Sequence, residues 1–198
     1  MKILEIFDSI QGEGSWMGIP VTFIRTAGCS LHCSFCDTKE SWAEGKVDMG
    51  IDDILKQVKE HHVVITGGEP TEQAPELRQL INRLQSDGHV VAIESNGTFE
   101  HYEMFSDTWV VVSPKPAAMY CVYPEGVSEL KYVVTEEFNA DVAIPEAIRK
   151  RFAGGIWLQP CDYGDERTMK MFNKAVQIAK SDCRFRVGIQ LHKVLGVR

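Results

Sequence analysis

The sequence predicts an α/β fold, a partial (open) parallel β/α barrel of about six strands. Three observations predict it. Short β-rich runs recur from residue 50 onward: VVIT at 63–66, VVAIES at 90–95, WVVVS at 109–113, LKYVV at 130–134, GIWLQ at 155–159 and RFRVGIQ at 184–190. Near-continuous apolar runs of this length are strands buried on both faces. Helical stripes alternate with them: Ile51, Ile54, Leu55 and Val58, then Leu77, Leu80, Ile81 and Leu84, and later Met169, Phe172, Val176 and Ala179. The interval PKPAAMYCVYPEG, 114–126, has three prolines and no stripe, so no full β/α unit fits there. The strand count therefore falls short of a closed barrel of eight.

One more run, VTFIRTAG at 21–28, reads as a strand leading straight into a cysteine-rich loop. In parallel barrels chemistry gathers at the C-terminal strand ends. The polar segments TGGEP (66–70), ESNGT (94–98), SPK (113–115) and QPCD (159–162) fall there.

A chain of 198 residues without linker, repeat or low-complexity tract is expected to form one domain, 1–198. Its 44% hydrophobic and 25% charged residues are ordinary for a globular protein. The net charge of -7 argues against coating nucleic acid, which needs a basic face. It leaves room for a small anionic ligand, since one buried Arg can hold a carboxylate. The N-terminus does not read as a secretory leader, and no apolar run approaches the ~18 residues of a membrane span. A cytoplasmic location without membrane attachment is expected. In that reducing setting clustered cysteines point to metal or redox chemistry rather than disulfides. Cys121, Cys161 and Cys183 are scattered and read as small hydrophobes.

The stretch GCSLHCSFCDT, 28–38, places Cys29, Cys33 and Cys36 at C-x3-C-x2-C spacing. Three readings fit this loop: a zinc ion with His32 as fourth ligand, a reactive thiol in a chance cluster, or an iron–sulfur cluster. Structural zinc usually draws on a second, distant ligand pair, and none follows here. Three thiolates on a four-iron cube would leave one iron open.

The cysteine spacing, the aromatic Phe35 before the last cysteine, and GGEP at 67–70 after a strand together resemble the radical S-adenosylmethionine (SAM) superfamily. FDSIQGEG (7–14), FIRTAGC (23–29), CDT (36–38), TGGEP, ESNGT, SPK, LQP (158–160) and QLHKVLGV (190–197) resemble, in order and across nearly the whole chain, the 7-carboxy-7-deazaguanine synthase family. The resemblance implies a shortened radical SAM core with a [4Fe-4S] cluster on Cys29, Cys33 and Cys36. The open iron would bind SAM, which one electron cleaves to methionine and a 5′-deoxyadenosyl radical. It further implies Mg2+ at Thr38, a homodimer, an electron-donor protein such as flavodoxin, and a pterin substrate, 6-carboxy-5,6,7,8-tetrahydropterin. The product would be 7-carboxy-7-deazaguanine, formed with loss of ammonia on the route to queuosine and related deazapurines. Rival readings are a radical activase for a glycyl-radical enzyme and a non-enzymatic zinc module.

Residue by residue, the resemblance implies a substrate site of Ile10, Gln11, Gly12, Glu13, Arg25, Thr66, His192 and Arg198. Arg25 would fork onto the substrate carboxylate, although a lone Arg more often makes a surface salt bridge. Gln11–Glu13 would meet the amide and guanidine-like edge of the pterin, although Gly12 and Gly14 also suit a plain hairpin turn. SAM would lie against Phe35, Gly68, Glu69, Ser113, Pro114, Lys115, Gln159, Pro160, Cys161 and Asp162. There Glu69 or a backbone carbonyl would accept from the ammonium group and Lys115 would meet the carboxylate. Glu94, Ser95 and Asn96 belong to the same strand end. Thr38, with Asp37 in support, offers the oxygen that Mg2+ prefers, while an N-cap is the structural alternative. His192 and the carboxylate of Arg198 would close over substrate. No side chain is expected to be catalytic in its own right, because the cofactor carries the radical.

Overall fold

The computed structural model describes residues 1–43, 47–115 and 125–198. Its strands are β1 (Lys2–Ile10), β2 (Pro20–Thr26), β3 (Val47–Asp48), β4 (His62–Gly67), β5 (Val90–Ser95), β6 (Trp109–Val112), β7 (Glu129–Val134), β8 (Gly155–Pro160) and β9 (Phe185–Val187). They form one open sheet in the order β3-β1-β2-β4-β5-β6-β7-β8-β9. From β2 to β9 every neighbouring pair is parallel. The open parallel barrel is as expected, and each predicted run is a strand. Two strands were not expected: β1 and β3 extend the N-terminal edge by antiparallel pairing. In β1, KILEIFDSI, Glu5 and Asp8 interrupt the apolar run, and only Ile3 is fully buried, so the segment lacks the signature of a core strand.

The helices are α1 (Ile51–Leu55), α2 (Ala74–Ser86), α3 (Ala140–Ala143), α4 (Glu146–Arg151), α5 (Glu166–Ser181) and α6 (Leu191–Leu195). Leu77, Leu80, Ile81 and Leu84 of α2 are fully buried, as the stripe predicts. The predicted stripe of α5 is displaced. Met169 is 62% exposed, whereas Met171 and Ala175 are buried and Ile178 packs on the core. The i, i+4, i+7 row from Met171 is what α5 presents to the sheet, and Met169 lies off it.

Side-chain alternation along the strands sets up the site. Val63 and Ile65 of β4, with Val91 and Ile93 of β5, face outward into the core under the helices. Val64 and Ala92 face inward with Val21, and Trp16, Ile19, Phe23 and Trp109 pack on them as an apolar plug. Two residues on, the same inward faces carry Thr66 and Glu94, which line a cleft at the C-terminal strand ends. Cys161 is buried as expected, but Cys183 is exposed, and Cys121 lies outside the described residues. Most of the proline-rich interval, 116–124, also lies outside them. No described helix is long and apolar enough to cross a membrane.

Candidate active site

The cysteine loop is laced to the GGEP loop by backbone alone. After β2 the Gly68 and Glu69 N–H groups donate to the carbonyls of Thr26 (3.0 Å) and Gly28 (2.8 Å), and the Gly28 N–H donates to Ser41 O (2.9 Å). The contact demands glycine: a Cβ on Gly68 would lie 2.0 Å from the Gly28 carbonyl oxygen, and one on Gly67 2.3 Å from Thr26 N. Gly67 also holds φ +136°. Cys29, Cys33 and Cys36 all line the cleft and form no disulfide. Burial raises the thiol pKa of Cys29 and of Cys33, and the nearby Lys115 partly opposes it at Cys33.

Among the described residues no three His, Cys, Asp or Glu side chains converge to hold a single ion. His32 is exposed and packs edge-on against Trp42, 5.0 Å between ring centres. The zinc reading with His32 as fourth ligand therefore has no geometry behind it.

Glu69 stands where the sequence does not suggest. It is 1% exposed and does not line the cleft. One carboxylate oxygen accepts from Thr71 N (3.0 Å), Thr71 Oγ1 (2.5 Å) and Ser95 Oγ (2.9 Å), the other from Asn96 N (2.6 Å). Desolvation raises its pKa against these bonds. Glu69 thus ties the GGEP loop to the end of β5, while Gly67 and Gly68 line the cleft. Asn96, held this way, donates to Cys29 Sγ at 3.8 Å. Pro114 and Gly12 also lie off the cleft lining; Gly12 lets His192 pack directly on the backbone, since a Cβ would fall 1.9 Å from Nδ1.

The wall of the cleft carries two groups without full partners. Gln159 is buried, and neither its amide oxygen nor its nitrogen has a hydrogen-bond partner. A buried orphan amide lining a cleft is a ligand-recognition group in waiting. Among the described residues Lys115 bonds the Ser113 hydroxyl, at 2.6 Å, and no carboxylate. Burial, with repulsion from Lys131, holds its pKa below the usual lysine range.

The floor is a network. Lys131 Nζ bonds Glu13 Oε2 at 2.6 Å and Glu94 Oε2 at 3.5 Å. Gln190 donates to the other Glu13 oxygen (2.9 Å), and Gln11 donates to Glu94 (2.9 Å). Thr66 Oγ1 lies 3.4 Å from Glu94. Desolvation disfavours the charge on Lys131, but Glu13 and Glu94 outweigh it and hold the ammonium above its usual range. In return Lys131 keeps the Glu13 carboxyl below its usual value despite burial. The sequence reading missed Lys131. Its signal was a lone lysine inside LKYVV, between Leu130 and Tyr132, which face the outer core.

At the entrance Arg25 bonds Glu5 (2.9 Å) and Thr38 Oγ1 (3.4 Å), and Thr38 also meets Asp37 (3.1 Å). Thr38 precedes a short 3-10 turn, yet its side chain makes no capping bond and its hydroxyl turns to the cleft instead. Arg198 lies over the Phe7 ring (4.4 Å) and bonds Glu5, while its backbone oxygen accepts from Ser9 Oγ.

The profile of the Radical SAM superfamily matches residues 23–113. The 7-carboxy-7-deazaguanine synthase of Aquifex aeolicus is 35% identical, over 98% of this chain and 93% of that one. This chain belongs to the 7-carboxy-7-deazaguanine synthase family. The synthase of Bacteroides thetaiotaomicron is also 35% identical, over 100% of this chain and 98% of its own. The crystal structure of QueE from Escherichia coli superposes with a TM-score of 0.75 at 29% identity, covering 96% of this chain and 94% of that one. Such end-to-end likeness within this radical SAM family separates the chain from the activase and zinc-module readings.

Membership of the superfamily implies a [4Fe-4S] cluster and SAM, and the residues present fit both. Three thiols face one cleft on a single loop, and a zwitterionic cofactor suits an ammonium without a carboxylate and a buried amide without a partner.

Proposed function

We propose that this chain converts 6-carboxy-5,6,7,8-tetrahydropterin to 7-carboxy-7-deazaguanine with release of ammonia, for queuosine-type deazapurine synthesis. The carrying observation is that one cleft is lined both by the three thiols of the cysteine loop and by Gln11 and Glu13. Cys29, Cys33 and Cys36 hold the cluster. Phe35, Gly68, Ser113, Lys115 and Gln159-Pro160-Cys161-Asp162 hold SAM, with Lys115 on its carboxylate. Cluster and SAM together supply a carbon-centred radical when bound.

The remaining work belongs to the chain. Arg25, anchored on Glu5 and in reach of Thr38, presents its guanidinium to the substrate carboxylate. Glu13, kept ionised by Lys131, accepts from pterin N–H groups, and Gln11 and Thr66 contribute hydroxyl and amide contacts beside it. Ile10 borders this floor, and His192 and Arg198 cover it. Mg2+ sits at Thr38 with support from Asp37, where a hydroxyl free of capping duty offers an oxygen ligand. Together these contacts fix one orientation of the substrate and exclude water from the reacting carbon.

The same reading takes the protein to be a cytoplasmic homodimer, reduced by a small donor such as a flavodoxin. Exposed Val194, Leu195 and Val197 on the C-terminal segment offer apolar surface for the second copy. The test is anaerobic reconstitution with iron and sulfide, followed by incubation with SAM, reductant, Mg2+ and the pterin. A SAM-dependent product with the mass of 7-carboxy-7-deazaguanine is expected. Bound cluster and SAM without that product would refute the substrate assignment.

A further inference from the structure

Strand β7 places two charged side chains, Glu129 and Lys131, two residues apart on its inward face. Both are buried, at 2% and 7% exposure, and both grip the loop joining β1 to β2. Glu129 accepts from Ser15 Oγ (2.6 Å) and Ser15 N (3.1 Å), and is fixed from the far side by Trp157 Nε1 (2.9 Å). Gly14, at φ +66°, lies so flat on Glu129 that a Cβ would stand 2.3 Å from Oε1. Lys131 takes Glu13 and reaches Glu94. Backbone bonds close the loop on itself, Gln11 N to Ile19 O (2.9 Å) and Gly18 N to Gln11 O (2.8 Å), while the β7 side chains fix how the closed loop sits against the cleft.

We propose that β7 acts as a two-point clamp, in which Glu129 and Lys131 are positioning residues that hold Gln11 and Glu13 at the geometry that recognises the substrate. The proposal rests on the reading that this cleft takes a pterin.

Lys131 does more than hold the loop in place. Glu13 faces Lys131 from β7, Gln190 and His192 from the C-terminal segment, and the more distant Lys115 after β6. Glu94 on β5 shares the same ammonium. Without Lys131 the two carboxylates would stand in a buried floor with their shared cation gone, and Glu13 would take up a proton more readily than in the wild type. A protonated Glu13 is a poorer acceptor for pterin N–H groups. Binding in such a variant should therefore improve as pH rises and Glu13 ionises.

The test uses the reconstituted holoenzyme and 6-carboxypterin, a fluorescent oxidised analogue, titrated between pH 6 and pH 9. Steady-state kinetics and SAM affinity are measured in parallel. Lys131→Met is expected to weaken 6-carboxypterin binding by about 30-fold at the acid end. The loss should shrink toward the alkaline end, with KM rising more than kcat falls and SAM affinity unmoved. Lys131→Arg should recover most of the affinity. Glu129→Gln should weaken binding by about 5-fold without pH dependence, because only the loop's seat is loosened.

Unchanged binding in Lys131→Met, or a loss equal at every pH and not recovered by arginine, would overturn the clamp. Should Lys131→Met not fold, Lys131→Gln keeps a donor to Glu13 without the charge and carries the same expectation. Wild-type protein that ignores 6-carboxypterin and the substrate would instead refute the pterin reading itself.

Discussion

At the scale of single residues, what separates a site residue from a structural one is whether its bonding capacity is already spent. Glu69 and Thr38 show the two outcomes. Glu69 accepts four bonds from its own chain, three of them on one oxygen, and is buried away from the cleft lining. Thr38 precedes a short 3-10 turn, but its hydroxyl makes no capping bond and instead meets Arg25 and Asp37 at the cleft, with one lone pair still open. The hydroxyl of Thr38 is thus expected to matter for Mg2+ and not for folding. Thr38→Ala should flatten the dependence of turnover on Mg2+ and leave the visible spectrum of the cluster intact; an unaltered Mg2+ response would withdraw the metal from this residue. The Cys33 thiol lines the cleft, and burial raises its pKa. Cys33→Ala should abolish cluster assembly, read as lost iron content and lost visible absorption, while the far-ultraviolet circular dichroism stays that of the wild type.

At the scale of elements, the glycines of the GGEP loop tie it to the cysteine loop, from which β3, α1 and β4 separate it in the chain. In Gly68→Ala the new methyl would meet the backbone of Gly28, which is itself bonded to Ser41, so neither neighbour can yield cheaply. The variant should lose at least about 2 kcal/mol of stability. Thermal unfolding should show this, together with weakened SAM binding, since the shifted Gly28 carries Cys29 with it. A wild-type melting temperature would mean that the loop relaxes freely. Elements of this kind were legible in the sequence because their physics is local: apolar runs for β4 to β8, a four-residue stripe for α2, glycines at a tight approach. What was not legible depended on partners far along the chain. β1 is a strand because β2 and β3 pair with it, not because its own pattern says so. Met169 fits a stripe drawn on an isolated helix, yet the sheet receives the row from Met171. Lys131 has no local signal of its role, because its counter-charge, Glu13, lies 118 residues away.

At the scale of the whole molecule, the open sheet leaves a gap between β9 and the N-terminal hairpin, and the C-terminal segment bridges it. Gln190 bonds Glu13, the Leu191 N–H donates to Gly12 O (3.0 Å), and Arg198 reaches Glu5 and Ser9 on β1. At the other side Lys193 Nζ meets Asp162 Oδ2 at 2.5 Å, just past the end of β8. The strap thus joins the two edges of the cleft, and its outer anchor can be titrated. The Lys193 bond, helped by the Gly164 N–H, lowers the Asp162 pKa to about 2. A carboxylate depressed below its unfolded value of about 3.9 contributes stability that is complete above that value and fades as pH falls toward the folded one. Both side chains are partly exposed, so the contribution should be under about 1 kcal/mol. Denaturant unfolding of wild type and Lys193→Met should therefore differ by a constant amount above about pH 4 and converge as pH falls to about 2. A gap that persists unchanged to pH 2 would assign it to lost packing of the lysine stem. Near neutrality, where the anchor is fully formed, the same variant should bind 6-carboxypterin less tightly than wild type, because the strap carries Gln190 against Glu13 on the floor of the cleft.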